Sequence, residues 1–532
     1  MMKNQGSAVS KSVLKVMLGG SVSLAANLLS QVVIAAYFGA GAEMDAFLTA
    51  LVIPAYLLFV LVNGLSFVVV PAFIHEDAAG RSEDAWGLVG TFFWVTTLGL
   101  GGLAFLVAVF ADPILSITAP SLPPEKMHTA AQILSITIFT LPLGGLRLLA
   151  EGVQNARNRF FWPAAATAAG SLGNVAVLLL FYPSLGSLAL AWGNLLSAAL
   201  TAAVPLLPVL KHRWKKIIPL SDARVRELFQ LMLPLVLFGL VIQSWQVIER
   251  FFASWLPDGD LSYIGYASKL SSLLVAILAS GIASAILPAM SRALASQGET
   301  GLTRQIEFGF HLTLATALPA VAYLSAAATP LLSLLFERGE FTRAVTLSVS
   351  RVVWLVLLGD VLFRMLNNIN SRAFYSVKDT RTFSIVNSFM ILPYAFLAWF
   401  LSRNLGYIGL AMAFPLQAAG TFIITFLLVT RRFPELQVKA VARQFGIYAG
   451  LAVVVYLAVY LFTNAFSAVL HPIFVLLITA AFSGLLYLGT VLLLDPIITQ
   501  AFLDLLLPRI REKRRKNAPP APQPVNAPSP KP

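Results

Sequence analysis

The chain has 532 residues, 58% of them hydrophobic and 11% charged, with a mean hydropathy of +0.81 and a formal charge of +13. A soluble domain cannot carry so much apolar surface, so the composition is that of an integral membrane protein. With no cysteine, disulfides and thiolate metal sites are excluded, and in a polytopic membrane protein a basic balance reports loop charge rather than nucleic-acid binding.

A hydrocarbon core of about 30 Å asks for roughly 20 apolar residues per helix. Fourteen segments meet that demand, near 16–38, 45–72, 87–111, 130–152, 162–182, 186–210, 227–255, 262–290, 307–336, 344–370, 383–402, 407–430, 444–463 and 470–498. They are long, rich in Leu, Ala, Val and Gly, and lack the short alternation of a membrane barrel, so the fold class is all-α and polytopic. An even number of spans puts both termini on one side. With the N-terminus cytoplasmic, 28 Lys and Arg lie in inner segments against 4 outside (Lys126, Arg338, Arg343 and Arg403), which satisfies the positive-inside rule. The loop Lys211–Lys216 and the tail from Arg509 supply much of the excess and are expected to meet lipid headgroups, the tail as a disordered segment.

Five basic residues fall within spans: Arg147, Arg250, Lys269, Arg351 and Arg364. A charge in hydrocarbon costs a few kcal/mol, so each needs an anion, a route to the interface or a wet cavity. Arg147 and Arg364 stand toward the inner ends of spans 4 and 10, and snorkelling would account for either. Arg250 and Lys269 stand toward the outer parts of spans 7 and 8. Adjacent residues differ by about 100° around a helix, so Glu249 and Arg250 are expected to address different neighbours. Asp360 and Arg364 share one face at i,i+4, the spacing of an ion pair.

The chain also repeats itself. A shift of 217 residues lays "NGLSFVVVPAF" (Asn63 to Phe73) on "SGIASAILPAM" (Ser280 to Met290), and the same shift lays "RLLAEGVQNA" (Arg147 to Ala156) on "RMLNNINSRA" (Arg364 to Ala373). Spans 1–6 and 7–12 are therefore two six-helix lobes in one orientation, a parallel pseudo-twofold repeat of the kind used for alternating access. The expected organisation is a cytoplasmic N-terminus (1–15), an N-lobe (16–210), a basic linker (211–226), a C-lobe (227–430), two added spans (444–498) and the tail (509–532). Asn367, Asn368 and Asn370 then close the inner end of span 10, where they can bond end carbonyls or line a gate. No phosphate-binding loop motif occurs, and the five histidines, without ligand spacing, are read as loop or interface residues.

Three further stretches, "FGAGAEMDAF" (Phe38 to Phe47), "LFERGEFT" (Leu335 to Thr342) and "AFYSVKDTRT" (Ala373 to Thr382), together with the 6+6+2 arrangement, resemble the MurJ/MviN family of the multidrug/oligosaccharidyl-lipid/polysaccharide exporter superfamily. The resemblance implies a flippase of the bacterial cytoplasmic membrane, not an enzyme, that carries undecaprenyl-pyrophosphate-linked lipid II to the outer leaflet. It implies a lipid-tail groove at spans 13 and 14, cell-wall synthesis enzymes as partners, and no cofactor beyond coupling to membrane potential or a monovalent cation, with Asn387 a candidate ligand. Cavity cations would be Lys269, Arg250, Arg147 and Arg364. Asp45 matches an acidic family position and would act in gating, although a loop acid or helix cap fits the sequence as well. Glu249 and Asp360 would be counter-ions. The family's Arg-x-x-Gly-x-x-Arg-Asp pattern on span 1 falls here on Leu24, Asn27, Ser30 and Gln31, its arginine on span 2 on Leu58, and an arginine of span 8 is replaced by Lys269, which keeps charge without a bidentate fork. Other readings stay open: a flippase for another polyprenyl-linked oligosaccharide, such as an exopolysaccharide or teichoic-type unit, and a cation-coupled drug exporter of the same superfamily or a degenerate scaffold that only recruits partners in cell-wall synthesis.

Overall fold

A computed structural model describes residues 2–157, 159, 161–211, 217–467 and 469–494; positions 212–216 of the basic loop and the tail lie outside the described residues. The described chain is helical, with twelve stretches long and apolar enough to cross a membrane. Two of the helices are double. The helix Asp260–Ala326 is broken by Gly298 at φ +68°, and Ile391–Arg432 by Gly406 at φ +59°, a left-handed conformation that glycine adopts without a Cβ penalty. Divided there, the described residues form fourteen long helices. They are α1 (Met2–Phe38), α2 (Ala42–Ala78), α3 (Ser82–Val109), α4 (Pro124–Ala156), α5 (Phe161–Leu185), α6 (Leu188–Leu210), α7 (Ala223–Ala253), α8 (260–297), α9 (299–326), α10 (Arg343–Ser376), α11 (380–405), α12 (407–432), α13 (Val438–Phe466) and α14 (Pro472–Leu494). Where a loop was expected between 290 and 307, helix continues on both sides of Gly298, and a short helix, Ala328–Phe336, follows α9.

Local sequence accounts for the irregular places. Pro54 lacks an N–H, and the helix opens into a wider π turn at Leu58–Val62 just beyond it. Further π turns lie at Val95–Leu100 in α3 and at Leu358–Phe363 in α10, the latter carrying Asp360. Asp379 caps α11, accepting the Thr382 backbone N–H at 3.0 Å and its hydroxyl at 2.7 Å. The carboxyl is held below its ordinary range, first by that backbone N–H and then by the hydroxyl.

Helices α1–α6 pack into one lobe and α7–α12 into another, while α13 lies along the α8–α9 side with α14 against it. Rows such as Leu179, Leu180, Leu457, Leu461 and Leu485 face outward, as lipid contact requires. One hydrophobic core runs through both lobes, joining them around Phe47, Ala267, Phe336 and Phe341 near Asp45 and extending through the C-lobe to Leu302, Phe374 and Phe433 at the opposite face. A second, around Phe73, Trp86 and Met232, lies in the N-lobe and the start of α7 toward the opposite face. The lobes thus share a core at the Asp45 face and meet toward the other through the second half of α2 and the start of α7.

Three expectations need revision. His311 is 5% exposed inside α9 rather than in a loop. Asn367 and Asn370 bind α10 to α12 within the C-lobe. Asn367 donates to the Ala418 carbonyl at 3.1 Å, and Asn370 donates to the Thr425 hydroxyl at 2.8 Å with its side chain fully buried. Finally, Glu249 and Arg250 pair with each other at 2.9 Å: both side chains are long enough to arc back across the 100° between them, and in an interior with little water the pair is each group's nearest compensation.

Candidate functional site

Between the lobes lies a cavity of about 410 Å³. Its N-lobe wall is neutral, with Asn27 and Gln31 of α1 and Leu48 of α2; its C-lobe wall carries Glu249 and Arg250 of α7 and Lys269 of α8, with Trp245 and Phe336 as apolar lining. Helix periodicity explains the arrangement. Asn27 and Gln31 are four apart on α1, and Trp245 and Glu249 four apart on α7, so each pair shows one face to the gap. The Lys269 ammonium sits 4.9 Å from the centre of the Tyr266 ring, a cation–π contact, with no carboxylate paired to it among the described residues. With Glu249 neutralising Arg250, the wall carries one net positive charge. Two polar atoms remain buried without a partner, Arg250 Nε and Gln31 Oε1. Such groups normally find one, so the cavity is set up to receive hydrogen bonds from its N-lobe side and to donate from its C-lobe side.

Above the cavity, the Asp45 face is closed. Asp45 is 2% exposed and reaches from α2 to the start of α8. It accepts the Gly259 and Ser262 backbone N–H groups, each at 2.8 Å, and the Ser262 hydroxyl. An anion at a helix N-terminus meets unpaired N–H groups and the positive end of the helix dipole. Lys126 of α4, a plain loop charge by sequence, is in fact buried, 3.3 Å from Asp45 and 2.7 Å from Asp258. The Tyr266 hydroxyl donates to the Gly39 carbonyl at 2.7 Å, and the Glu340 backbone N–H to the Ala36 carbonyl at 2.9 Å. Gly39 (φ +52°) and Gly339 (φ +59°) allow this approach: a Cβ on either would collide with a backbone carbonyl of the opposite segment, Glu340 or Ala36. The stretches "FGAG" and "ERGEF" are therefore two halves of one seam, and sequence spacing gave no sign of it because 300 residues separate them.

The remaining candidates lie elsewhere. Arg364 pairs with Asp360 at 2.9 Å and lies 5.2 Å from the Phe414 ring, while Asp360 also accepts the Ser271 hydroxyl at 3.2 Å. Arg147 is 3.9 Å from Glu151. Neither arginine lines the cavity. Asn387 is half-buried on α11, and no cluster of metal-ligating side chains occurs among the described residues.

The family model described as lipid II flippase MurJ matches residues 34–479. The probable lipid II flippase MurJ of Synechocystis sp. is 27% identical over 451 residues, which covers 81% of this chain and 84% of that protein. The Vibrio cholerae protein of the same description is 28% identical over 429 residues, covering 75% and 78%. A solved lipid II flippase MurJ in an inward closed conformation superposes with a TM-score of 0.73 at 21% identity, over 92% of this chain and 99% of that one. An inward-facing multidrug resistance transporter of the MATE family gives 0.66 at 14% identity, over 80% and 99%. At these identities the superpositions speak for the fold alone.

Proposed function

This chain belongs to the lipid II flippase MurJ family, and from that premise we propose that it carries lipid II, a polyprenyl-pyrophosphate-linked peptidoglycan precursor, from the inner to the outer leaflet of a bacterial cytoplasmic membrane by alternating access. It is a multi-pass membrane transporter and not an enzyme. The observation that supports the reading best is the cationic cavity between the lobes, directly beneath an interlobe seal. A pyrophosphate with its sugar head cannot enter hydrocarbon unaided, so it needs a wet, positively charged path while the polyprenyl tail stays in lipid.

In this reading Lys269 and Arg250 take the pyrophosphate, with Glu249 holding Arg250 in place between passages. Arg147 and Arg364, at corresponding positions of the two lobes, flank the route from the inner leaflet, with Asp360 as the counter-ion of Arg364. Positive-inside topology puts both termini in the cytoplasm and the Asp45 face outside, so Asp45 is the outer latch and rocking of the lobes releases it. The tail lies along α13 and α14. Membrane potential or a monovalent cation drives the cycle, with Asn387 a candidate ligand, and cell-wall synthesis enzymes receive the product. Arg250→Ala combined with Lys269→Ala is expected to cut outward delivery of lipid II about tenfold or more, measured as precursor accumulating in the inner leaflet of cells that depend on this protein. Unchanged delivery would remove the anion site.

The neutral N-lobe wall favours a second reading, another polyprenyl-linked oligosaccharide whose head group is met by Asn27 and Gln31. Depletion separates the two by which lipid-linked intermediate accumulates.

A further inference from the structure

Arg351 stands two turns into α10 with its side chain exposed, and it has no ion-pair partner among the described residues. Two other arginines of that helix are paired, Arg343 with Glu337 at 3.3 Å and Arg364 with Asp360 at 2.9 Å; Arg372 has no ion pair among the described residues either, but stands at the opposite end of the helix. At 100° per residue, Leu347, Arg351, Trp354 and Leu358 form one stripe, and Leu347 and Trp354 are 45% and 44% exposed, so the stripe faces lipid. Asp360, nine residues from Arg351, is half a turn away and faces the interior, where it meets Ser271. The depth of Arg351 follows from its neighbour: Thr329, at the start of the short helix Ala328–Phe336, donates to the Ser350 hydroxyl at 3.1 Å, which sets Arg351 near the junction of α9 with that helix, toward the Asp45 face. An unpaired guanidinium at that depth requires an anion from the bilayer.

Immediately below it, toward the membrane centre, a crevice of about 400 Å³ opens between α9, α10 and α13, lined by Leu318, Ser325, Trp354, Ala452 and Tyr456. Trp354 is about 4.5 Å along the axis from Arg351. The lining is apolar except for three side chains with a polar group, Trp354, Tyr456 and Ser325, and the Ser325 hydroxyl is buried with no partner among the described residues. A cation, a buried hydroxyl and a largely apolar slot therefore lie beside one another, as do the phosphate, ester and acyl chain of a phospholipid.

We propose that this crevice binds one anionic glycerophospholipid of the phosphatidylglycerol class, with its phosphate on Arg351, an ester carbonyl accepting from Ser325, and an acyl chain between α9, α10 and α13. A free phosphate would leave the apolar slot empty, and a zwitterionic head group brings an ammonium that competes with the guanidinium. The site is separate from the interlobe cavity and does not depend on which glycan lipid the protein moves.

Native mass spectrometry of the purified full chain titrated with phosphatidylglycerol tests it. The unaltered protein is expected to retain one lipid with about fivefold higher affinity than Arg351→Gln, whereas Arg351→Lys keeps it, phosphatidylethanolamine occupies it less, and Ala452→Trp, which fills the slot, abolishes it. Equal retention by Arg351→Gln would overturn the proposal, and since that side chain is exposed its removal leaves the fold intact, as an unchanged melting profile would show. Displacement of the retained lipid by equimolar undecaprenyl phosphate would also overturn it, by giving the crevice to a polyprenyl tail.

Discussion

Four donors converge on Asp45: two backbone N–H groups and one hydroxyl from the C-lobe, and the Lys126 ammonium of its own lobe. Asp45→Asn keeps the shape but loses the charge that those four donors share, and bonds to a charged group contribute about 1.5–3 kcal/mol each. Because the chain has no cysteine, a single Gln31→Cys is a clean reporter of the cavity. Labelling of that thiol from outside by an impermeant reagent is expected to accelerate about tenfold in the Asp45→Asn background, and an unchanged rate would deny the latch. At this scale the sequence was only partly readable. Arg250 and Lys269 stood out because charge in a span is costly, and the structure brings both to the cavity. Lys126 did not stand out, since a lysine between spans looks solvated until its two aspartates, 81 and 132 positions away, are placed beside it.

Among the elements, boundaries set by hydropathy alone located the crossing helices but missed how α8 and α9, or α11 and α12, are joined. A hydropathy window sees polar residues and reads a loop, whereas a single glycine in the left-handed region reverses the chain without leaving helix on either side. The seam between "FGAG" and "ERGEF" depends on the same property. Gly339→Ala would force a Cβ against the Ala36 carbonyl at a positive φ, so it is expected to lower the melting temperature by several degrees and to raise Gln31→Cys labelling; if stability falls while labelling stays fixed, the seam is structural only. At the start of α11, Asp379→Ala removes a cap and is expected to cost about 1 kcal/mol. Since the folded carboxyl lies below its ordinary range, that contribution is present above the unfolded-state value and fades as pH falls through the folded one, so the difference between wild type and variant should vanish in acid.

For the whole molecule, the 217-residue shift was the most informative signal in the sequence, because it predicted two lobes in one orientation before any contact was known. It also predicts something about the seal. Asp45 and Ser262 are separated by 217 positions and bond directly, so the two lobes touch through corresponding residues, and the pseudo-twofold axis passes through that contact. A disulfide between Asp45→Cys and Ser262→Cys is therefore expected to hold the lobes shut at that face: precursor delivery should stop on oxidation and return on reduction, and transport that continues through the crosslink would exclude lobe rocking. What the shift could not supply was the asymmetry, for the carboxylate stands on one lobe and the helix N-terminus on the other, while charge in the cavity lies on the C-lobe alone. The latch has a consequence for turnover. If it favours the closed form by about 3 kcal/mol, the open form is populated below about 1%, and every outward release draws on that minority. A cargo that bound both forms equally would leave the proportion untouched however tightly it was held. Useful cargo must therefore grip the open form harder, and a mutation that merely loosens the latch should speed release while eroding the discrimination between loaded and empty carriers.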